Sequence, residues 1–221
     1  MIKSIFFDID DTLFPTSEFV ELARKKALEA MIEQGVDEKY EILHERLMKI
    51  IGKKGSNYPN LFDELCGELK IKRPSRFIAA AVAAYHNTKS SISPYPEVPR
   101  LLLRLRERGY KLYVASNGDA VKQWDKLIRM GIEMYFEEVF VSEEMGERKS
   151  EHFFARAVKS VGATPKECIM VGNREDADIA PAKKAGLITI RVRRGGYSKG
   201  KTVAHYDVKN LKALEKIIGR I

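Results

Sequence analysis

Ile5-Phe6-Phe7-Asp8-Ile9-Asp10-Asp11-Thr12 is the stretch that decides the fold. Its apolar opening has no polar alternation, so it reads as a strand buried on both faces, as in a parallel sheet. The run ends on a carboxylate and offers two more within three residues. The same buried texture returns at Leu112-Tyr113-Val114, Val139-Phe140-Val141, Ile169-Met170-Val171 and Leu187 to Val192. Helical periodicity separates these runs from residue 97 onward, over Glu97 to Arg108, Asp119 to Met130, Ser150 to Val161 and Asp176 to Ala185. A glycine comes after each one (Gly109, Gly131, Gly162, Gly186), where a helix C-terminus favours a left-handed residue. Strand, helix and strand in alternation imply right-handed crossovers and a doubly wound, Rossmann-like parallel sheet in an α/β protein.

Residues 16–93 break the rhythm, with helical stripes and no convincing strand. Val20, Ala23, Ala27, Ala30 and Met31 share one face; Tyr40, Leu43, Leu47, Ile50 and Ile51 share a second; Leu61, Leu65 and Leu69 make a third. Pro74 can open a fourth helix carrying Phe77, Ile78, Ala81, Val82 and Tyr85. Phe14-Pro15 and Ser93-Pro94-Tyr95-Pro96 suit the linkers out and back, since proline disfavours helix and central strand alike. The expected organisation is a core of residues 1–15 plus 94–221 and an inserted four-helix domain of residues 16–93. Hung beside the end of the first strand, it would form a lid over the sheet edge where open α/β folds place ligands.

Polar residues stand just past the strands: Asp8-Ile9-Asp10-Asp11-Thr12, then Ser116-Asn117-Gly118, then Lys149, then Gly172-Asn173-Arg174-Glu175-Asp176-Ala177-Asp178. One such residue is readily a cap or a turn former, but the ordered set is harder to explain that way. With these four segments the chain resembles the haloacid dehalogenase-like (HAD) hydrolase superfamily, across nearly its whole length. The insertion falls where that superfamily carries its C1 cap, and the wider texture resembles the phosphoglycolate-phosphatase-like branch.

The resemblance implies a Mg²⁺-dependent phosphatase acting on small phosphate monoesters through an aspartyl-phosphate on Asp8, and the chemistry of the residues agrees. A carboxylate nucleophile divides one difficult displacement into two steps, and Asp10 could protonate the leaving oxygen and then deprotonate water. Ser116, Asn117, Thr12 and Lys149 would bind the phosphoryl group, with free amides of the helix opening near Asp119 adding to the field. Crowded carboxylates call for a divalent cation, and Mg²⁺ suits an all-oxygen set drawn from Asp8, Asp10, Asn173 and Asp178. The fourth segment departs from the family pattern: Asn173 stands where family phosphatases usually have aspartate, and the loss of one negative charge should weaken the attraction for Mg²⁺ and ask Asp176 or Asp178 to compensate. Lys54, Asn57 and Tyr58, in the loop Gly52 to Pro59, are the candidates for substrate selection.

Other readings stay open. A dehalogenase would need neither metal nor an acid at Asp10. A phosphomutase differs in excluding water, and a phosphate-binding or regulatory protein could keep the fold with little turnover. Among 221 residues the formal charge is +8, but basic and acidic residues interleave along helix faces with no basic block, so neither a nucleic-acid nor a membrane partner is expected. Two cysteines, no signal peptide and no membrane-length apolar run favour a reduced, cytoplasmic setting; the chain is expected as a monomer or homodimer working on a small phosphorylated metabolite.

Overall fold

The computed structural model describes residues 1–56 and 58–221. Six parallel strands, β1 (Ser4–Phe7), β2 (Lys111–Ser116), β3 (Glu138–Val141), β4 (Cys168–Gly172), β5 (Ile188–Val192) and β6 (Tyr206–Val208), form one sheet in the order β3-β2-β1-β4-β5-β6. The chain winds outward from β1 to β3, then restarts at β4 on the other side of β1. The switch point therefore lies between β1 and β4, the crevice where such sheets bind ligands. Phe7 is in register with Val171, so Asp8 and Asn173, each one residue past its strand, flank that crevice.

Four helices, α1 (Thr16–Glu33), α2 (Tyr40–Lys54), α3 (Leu61–Glu68) and α4 (Ser75–Asn87), come after β1, and α5 (Val98–Glu107), α6 (Ala120–Met130), α7 (Ser142–Met145), α8 (Glu151–Ser160), α9 (Ala180–Lys184) and α10 (Leu214–Ile218) accompany the later strands. The backbone divides into two compact units, Met1–Ser17 with Ile92–Ile221, and Glu18–Ser91. In the first, Phe6 stacks on Tyr113 with ring centroids 5.0 Å apart and, with Phe140, meets Phe153, Phe154 and Ala157 of α8 on one face of the sheet. Phe7, of opposite parity, packs edge-on to Phe136. Each fully buried phenylalanine contributes about 1.5–3 kcal/mol of transfer free energy. In the second unit, Leu28, Met31, Leu43, Leu47 and Leu65 make a core of their own.

Helix ends obey the local chemistry. Asp119 caps α6 by accepting from the Lys122 amide at 2.9 Å, Ser150 caps α8 by accepting from Phe153 at 3.0 Å, and Gly131 ends α6 in the left-handed region. Two features differ from expectation. Residues 176–185 are not one α-helix: a π-helical turn, Glu175–Ile179, precedes α9. Pro181 has no amide hydrogen for the Ala177 carbonyl and its ring would crowd that oxygen, so the wider turn relieves a conflict that a continuous helix would create. Strand β6 was also not expected. Its three residues carry no apolar run, and what holds it is Asp207, which accepts from buried Arg191 at 2.9 and 3.0 Å and pairs with Arg193. No helix is long and apolar enough to cross a membrane among the described residues.

Candidate active site

Three charged side chains from separate parts of the first unit meet in its interior. Lys149, on the loop before α8, places Nζ 2.6 Å from Asp8 Oδ1 and in direct contact with Asp178 Oδ1, and also bonds the Ala115 carbonyl at 3.2 Å. All three are buried, their side chains between 0% and 6% exposed. Burial would drive the ammonium to shed its proton, but Asp178 and Asp8 overrule it and hold the Lys149 pKa above its ordinary value. Asp8 is pushed up to about 7, by burial first, against the pull of Lys149 and with the added repulsion of Asp178 and Asp10. Two buried carboxylates share one buried ammonium, which leaves a negative charge in a dry site.

Local structure fixes this triplet. Asp8 continues β1, its amide bonding the Val171 carbonyl at 2.9 Å, and its Oδ2 receives the Thr12 hydroxyl at 3.4 Å. Asp178 Oδ2 accepts from the Arg174 amide at 2.9 Å across the π-turn. That carboxylate lies against Gly172, where a Cβ would overlap Oδ2. Gly172→Ala should therefore displace Asp178, costing about 1–3 kcal/mol of stability along with activity; equal melting temperatures and equal kcat/KM for the two proteins would refute this.

Ser116, another residue singled out from the sequence, ends β2, and its buried hydroxyl has no partner among the described residues; the buried Asn173 Oδ1 likewise has none among them. Asn117 spends its side-chain oxygen on the Lys149 amide at 2.8 Å, so its side chain orients the lysine. The amides opening α6 are not free as expected: Ala120 donates to Glu143 Oε2 at 2.8 Å and Lys122 to Asp119. A glutamate and the capping aspartate each take one amide of that helix terminus. Asp176 is turned outward to Arg174, and Glu175 receives Thr202 and the Val203 amide, so neither compensates for Asn173. Lys54 and Tyr58 lie in the helical unit, where both bond Glu64 and the ammonium sits 4.8 Å from the tyrosine ring centroid. Asn57 falls outside the described residues.

Asp10 is partly exposed and heavily engaged. It accepts from Thr16 at 2.5 Å, from Gln123 at 3.5 Å and from Lys126, with which it forms an ion pair. Burial would raise its pKa, but Lys126 and these donors hold it below the usual carboxylate range. Lys126 was not anticipated. On the sequence it is one more lysine of a charged helix face, and only its spacing of three residues from Gln123 places the two on one side of α6.

Among the described residues, no three His, Cys, Asp or Glu side chains gather into a ready metal cage. The oxygens near the triplet nevertheless suit a hard cation. An unbalanced negative charge and a buried, unpartnered amide oxygen fit Mg²⁺, which keeps much of its water and takes one or two carboxylates.

A six-stranded parallel sheet with a buried Asp–Lys–Asp triplet at its carboxyl edge defines an enzyme of the Rossmann-like α/β class. Comparison with known proteins narrows the class. The haloacid dehalogenase-like hydrolase family matches residues 2–186, and the chain belongs to it. The glyceraldehyde 3-phosphate phosphatase of Methanopyrus kandleri is 45% identical over 201 residues, covering 89% of this chain and 86% of that protein. The glyceraldehyde 3-phosphate phosphatase of Methanocaldococcus jannaschii is 40% identical over 222 residues, covering 99% and 97%. A solved HAD phosphatase from Thermococcus onnurineus shares the fold with a TM-score of 0.69 at 23% identity, over 99% of this chain and 98% of that one. The chain is a phosphoric monoester hydrolase of this family.

Proposed function

We propose that the chain is a Mg²⁺-dependent phosphatase of small phosphorylated metabolites, with glyceraldehyde 3-phosphate as its substrate, and that its reaction passes through an aspartyl-phosphate on Asp8. The observation that carries the reading is the Asp8 carboxylate at the switch point: one oxygen is fixed by Lys149, and the other carries, among the described residues, only a 3.4 Å hydroxyl contact. The second oxygen is the nucleophile. Attack on phosphorus forms the Asp8 Oδ2–phosphorus bond of an acyl phosphate as the bond to the sugar oxygen breaks, and that oxygen takes a proton from Asp10. Water, giving its proton back to Asp10, then displaces the carboxylate and releases inorganic phosphate.

In this structure Asp10 is paired with Lys126, which keeps it ionised for the water half of the cycle. Delivering the proton in the first half requires the carboxyl to leave that partner. The Ser116 hydroxyl, without a protein acceptor among the described residues, is a donor for the equatorial oxygens; the Lys149 ammonium, whose three N–H groups are taken up by Asp8, Asp178 and the Ala115 carbonyl, adds its positive charge there and becomes a donor by releasing one of those partners. Thr12 steadies Asp8, and Asn117 steadies Lys149.

Asp8, Asp10, Asn173 and Asp178 would hold Mg²⁺, Asp178 also fixing Lys149 beside them. When bound, Mg²⁺ neutralises charge on the phosphate as it is transferred. Residues 16–93 are proposed as the cap domain, and Lys54, Asn57 and Tyr58 as its substrate-selecting loop. The triose phosphate comes from the two archaeal relatives, both named for it.

Purified protein should hydrolyse glyceraldehyde 3-phosphate with kcat/KM above about 10⁴ M⁻¹ s⁻¹, in preference to phosphoglycolate and p-nitrophenyl phosphate, and lose that turnover in EDTA. Indifference among the three esters would remove the substrate assignment. Turnover surviving EDTA would remove the metal.

A further inference from the structure

Arg194, two residues past β5, has its side chain only 10% exposed, whereas that of its neighbour Arg193 is 48% exposed and pairs with Asp207 at the sheet edge. Nothing in the proposed reaction uses Arg194, yet it holds three partners at once. Its Nη1 donates to the Thr12 carbonyl at 2.9 Å, its Nη2 pairs with Glu97, and the guanidinium lies 3.6 Å from the centroid of the Tyr95 ring. A planar fork that bonds along its edge and stacks on its face is something lysine cannot reproduce. The next residue continues the grip. Gly195 has φ +60°, and the Asp11 carboxylate fills the place of its missing side chain, so that a Cβ there would overlap Oδ2. Asp11 is itself a non-glycine residue at φ 53°, kept there by the amide and hydroxyl of Ser17.

The arginine backbone reaches the site from the other side. Asn173 Nδ2 donates to the Arg194 carbonyl at 3.4 Å, while Asn173 Oδ1 is buried without a partner among the described residues. These two facts are linked, because a carbonyl can face only the NH₂ end of an amide; the flipped amide would set oxygen against oxygen. A carboxylate at position 173 would meet the same repulsion, so this carbonyl gives a local reason for an amide to stand there.

We propose that Arg194 is a positioning residue of the cation site: its carbonyl turns Asn173 Oδ1 toward the cation, and its clamped side chain keeps that carbonyl in place. The proposal rests on the Mg²⁺ site of the proposed function. It adds that the amide's orientation is imposed from the β5 loop, by a residue that touches neither substrate nor metal.

The test is calorimetric titration of the full chain with MgCl₂, alongside kcat and KM for p-nitrophenyl phosphate at saturating Mg²⁺. Arg194→Met should weaken Mg²⁺ binding about tenfold, the size of effect known for groups that orient a metal ligand, with KM little changed. Arg194→Lys, which keeps the charge but not the fork, should recover only part of the loss. Since Arg194 acts through Asn173, the same substitution in an Asn173→Ala background should have almost no further effect on Mg²⁺ affinity. Equal losses in both backgrounds, or wild-type Mg²⁺ affinity in a destabilised Arg194→Met, would overturn the proposal. If Arg194→Met does not fold, Glu97→Gln reads the same coupling: a smaller weakening that disappears with Asn173→Ala supports it, and one that persists refutes it. Wild-type protein that binds no Mg²⁺ defeats the cation site itself, a result distinct from the others.

Discussion

Asp8→Asn should reduce kcat/KM for any phosphate monoester by about 10⁴-fold or more, while making the metal-free protein more stable at pH 8. Both effects come from the carboxylate's surroundings. An amide has no charged oxygen to attack phosphorus, so the covalent route closes. The stability gain comes from proton linkage. Asp8 has a folded pKa of about 7 against an unfolded value of 3.8, so between these limits the folded chain binds more protons than the unfolded one. Its stability is then complete below the unfolded value and falls as pH rises through the folded one. Asparagine removes the titrating group and relieves the excess negative charge beside Asp178. Thermal melts of the metal-free proteins should show the wild type losing stability between pH 5 and pH 8, with a shallower slope for Asp8→Asn and a melting temperature on the order of 5 °C higher at the upper end. A variant that is inactive and also less stable at pH 8 would show that Asp8 is held by its partners more strongly than burial disfavours it.

The features legible in the sequence are those set by neighbours along the chain. Apolar runs of three residues announce β1 to β4, and the six-residue stretch Leu187 to Val192 announces β5, because a strand covered on both faces needs no alternation. Asp119 and Ser150 announce helix starts because a cap is read within three residues. Asp8, Ser116 and Asn173 could be named because a residue just past a parallel strand lies at the carboxyl edge wherever the strand goes in the sheet. What escaped is set by partners far apart. Lys126 is 116 residues from Asp10, and Arg194 is 182 from Thr12; neither departs locally from a charged helix face or a basic loop. Strand β6 buries a single apolar side chain, Val208, and is otherwise tied to β5 by its ladder and by Asp207 against two arginines, so a search for hydrophobic periodicity passes over it. The α6 terminus misled for a related reason. Its open amides are a local inference, but Glu143, which occupies one of them, lies on a different helix.

Lys149→Met should have the larger cost to the fold. The substitution preserves much of the side-chain length and apolar volume, so what it removes is the charge. The ammonium is the only cation bonded to Asp8 and Asp178 among the described residues, and without it two buried carboxylates are left with no bonded cation. Breaking a buried pair in this way costs about 3–5 kcal/mol, which for a chain of this size lowers the melting temperature by roughly 10 °C at neutral pH. The loss should shrink as pH falls, because protonation of Asp8, whose folded pKa already lies above its unfolded value and loses the downward pull of Lys149 in the variant, removes the excess negative charge. It should also shrink on adding Mg²⁺, since a cation beside Asp8 neutralises the same excess. Activity should not return with stability: the phosphoryl oxygens have lost a donor, and kcat/KM should stay about 10²–10³-fold below wild type at any Mg²⁺ concentration. The informative measurement is therefore a melting curve at pH 5 and pH 8, with and without MgCl₂, beside kcat/KM under the same conditions. A Lys149→Met protein that melts with the wild type at pH 8 would mean the carboxylates do not depend on the lysine, and the buried triplet would lose its place as the charge centre of the site.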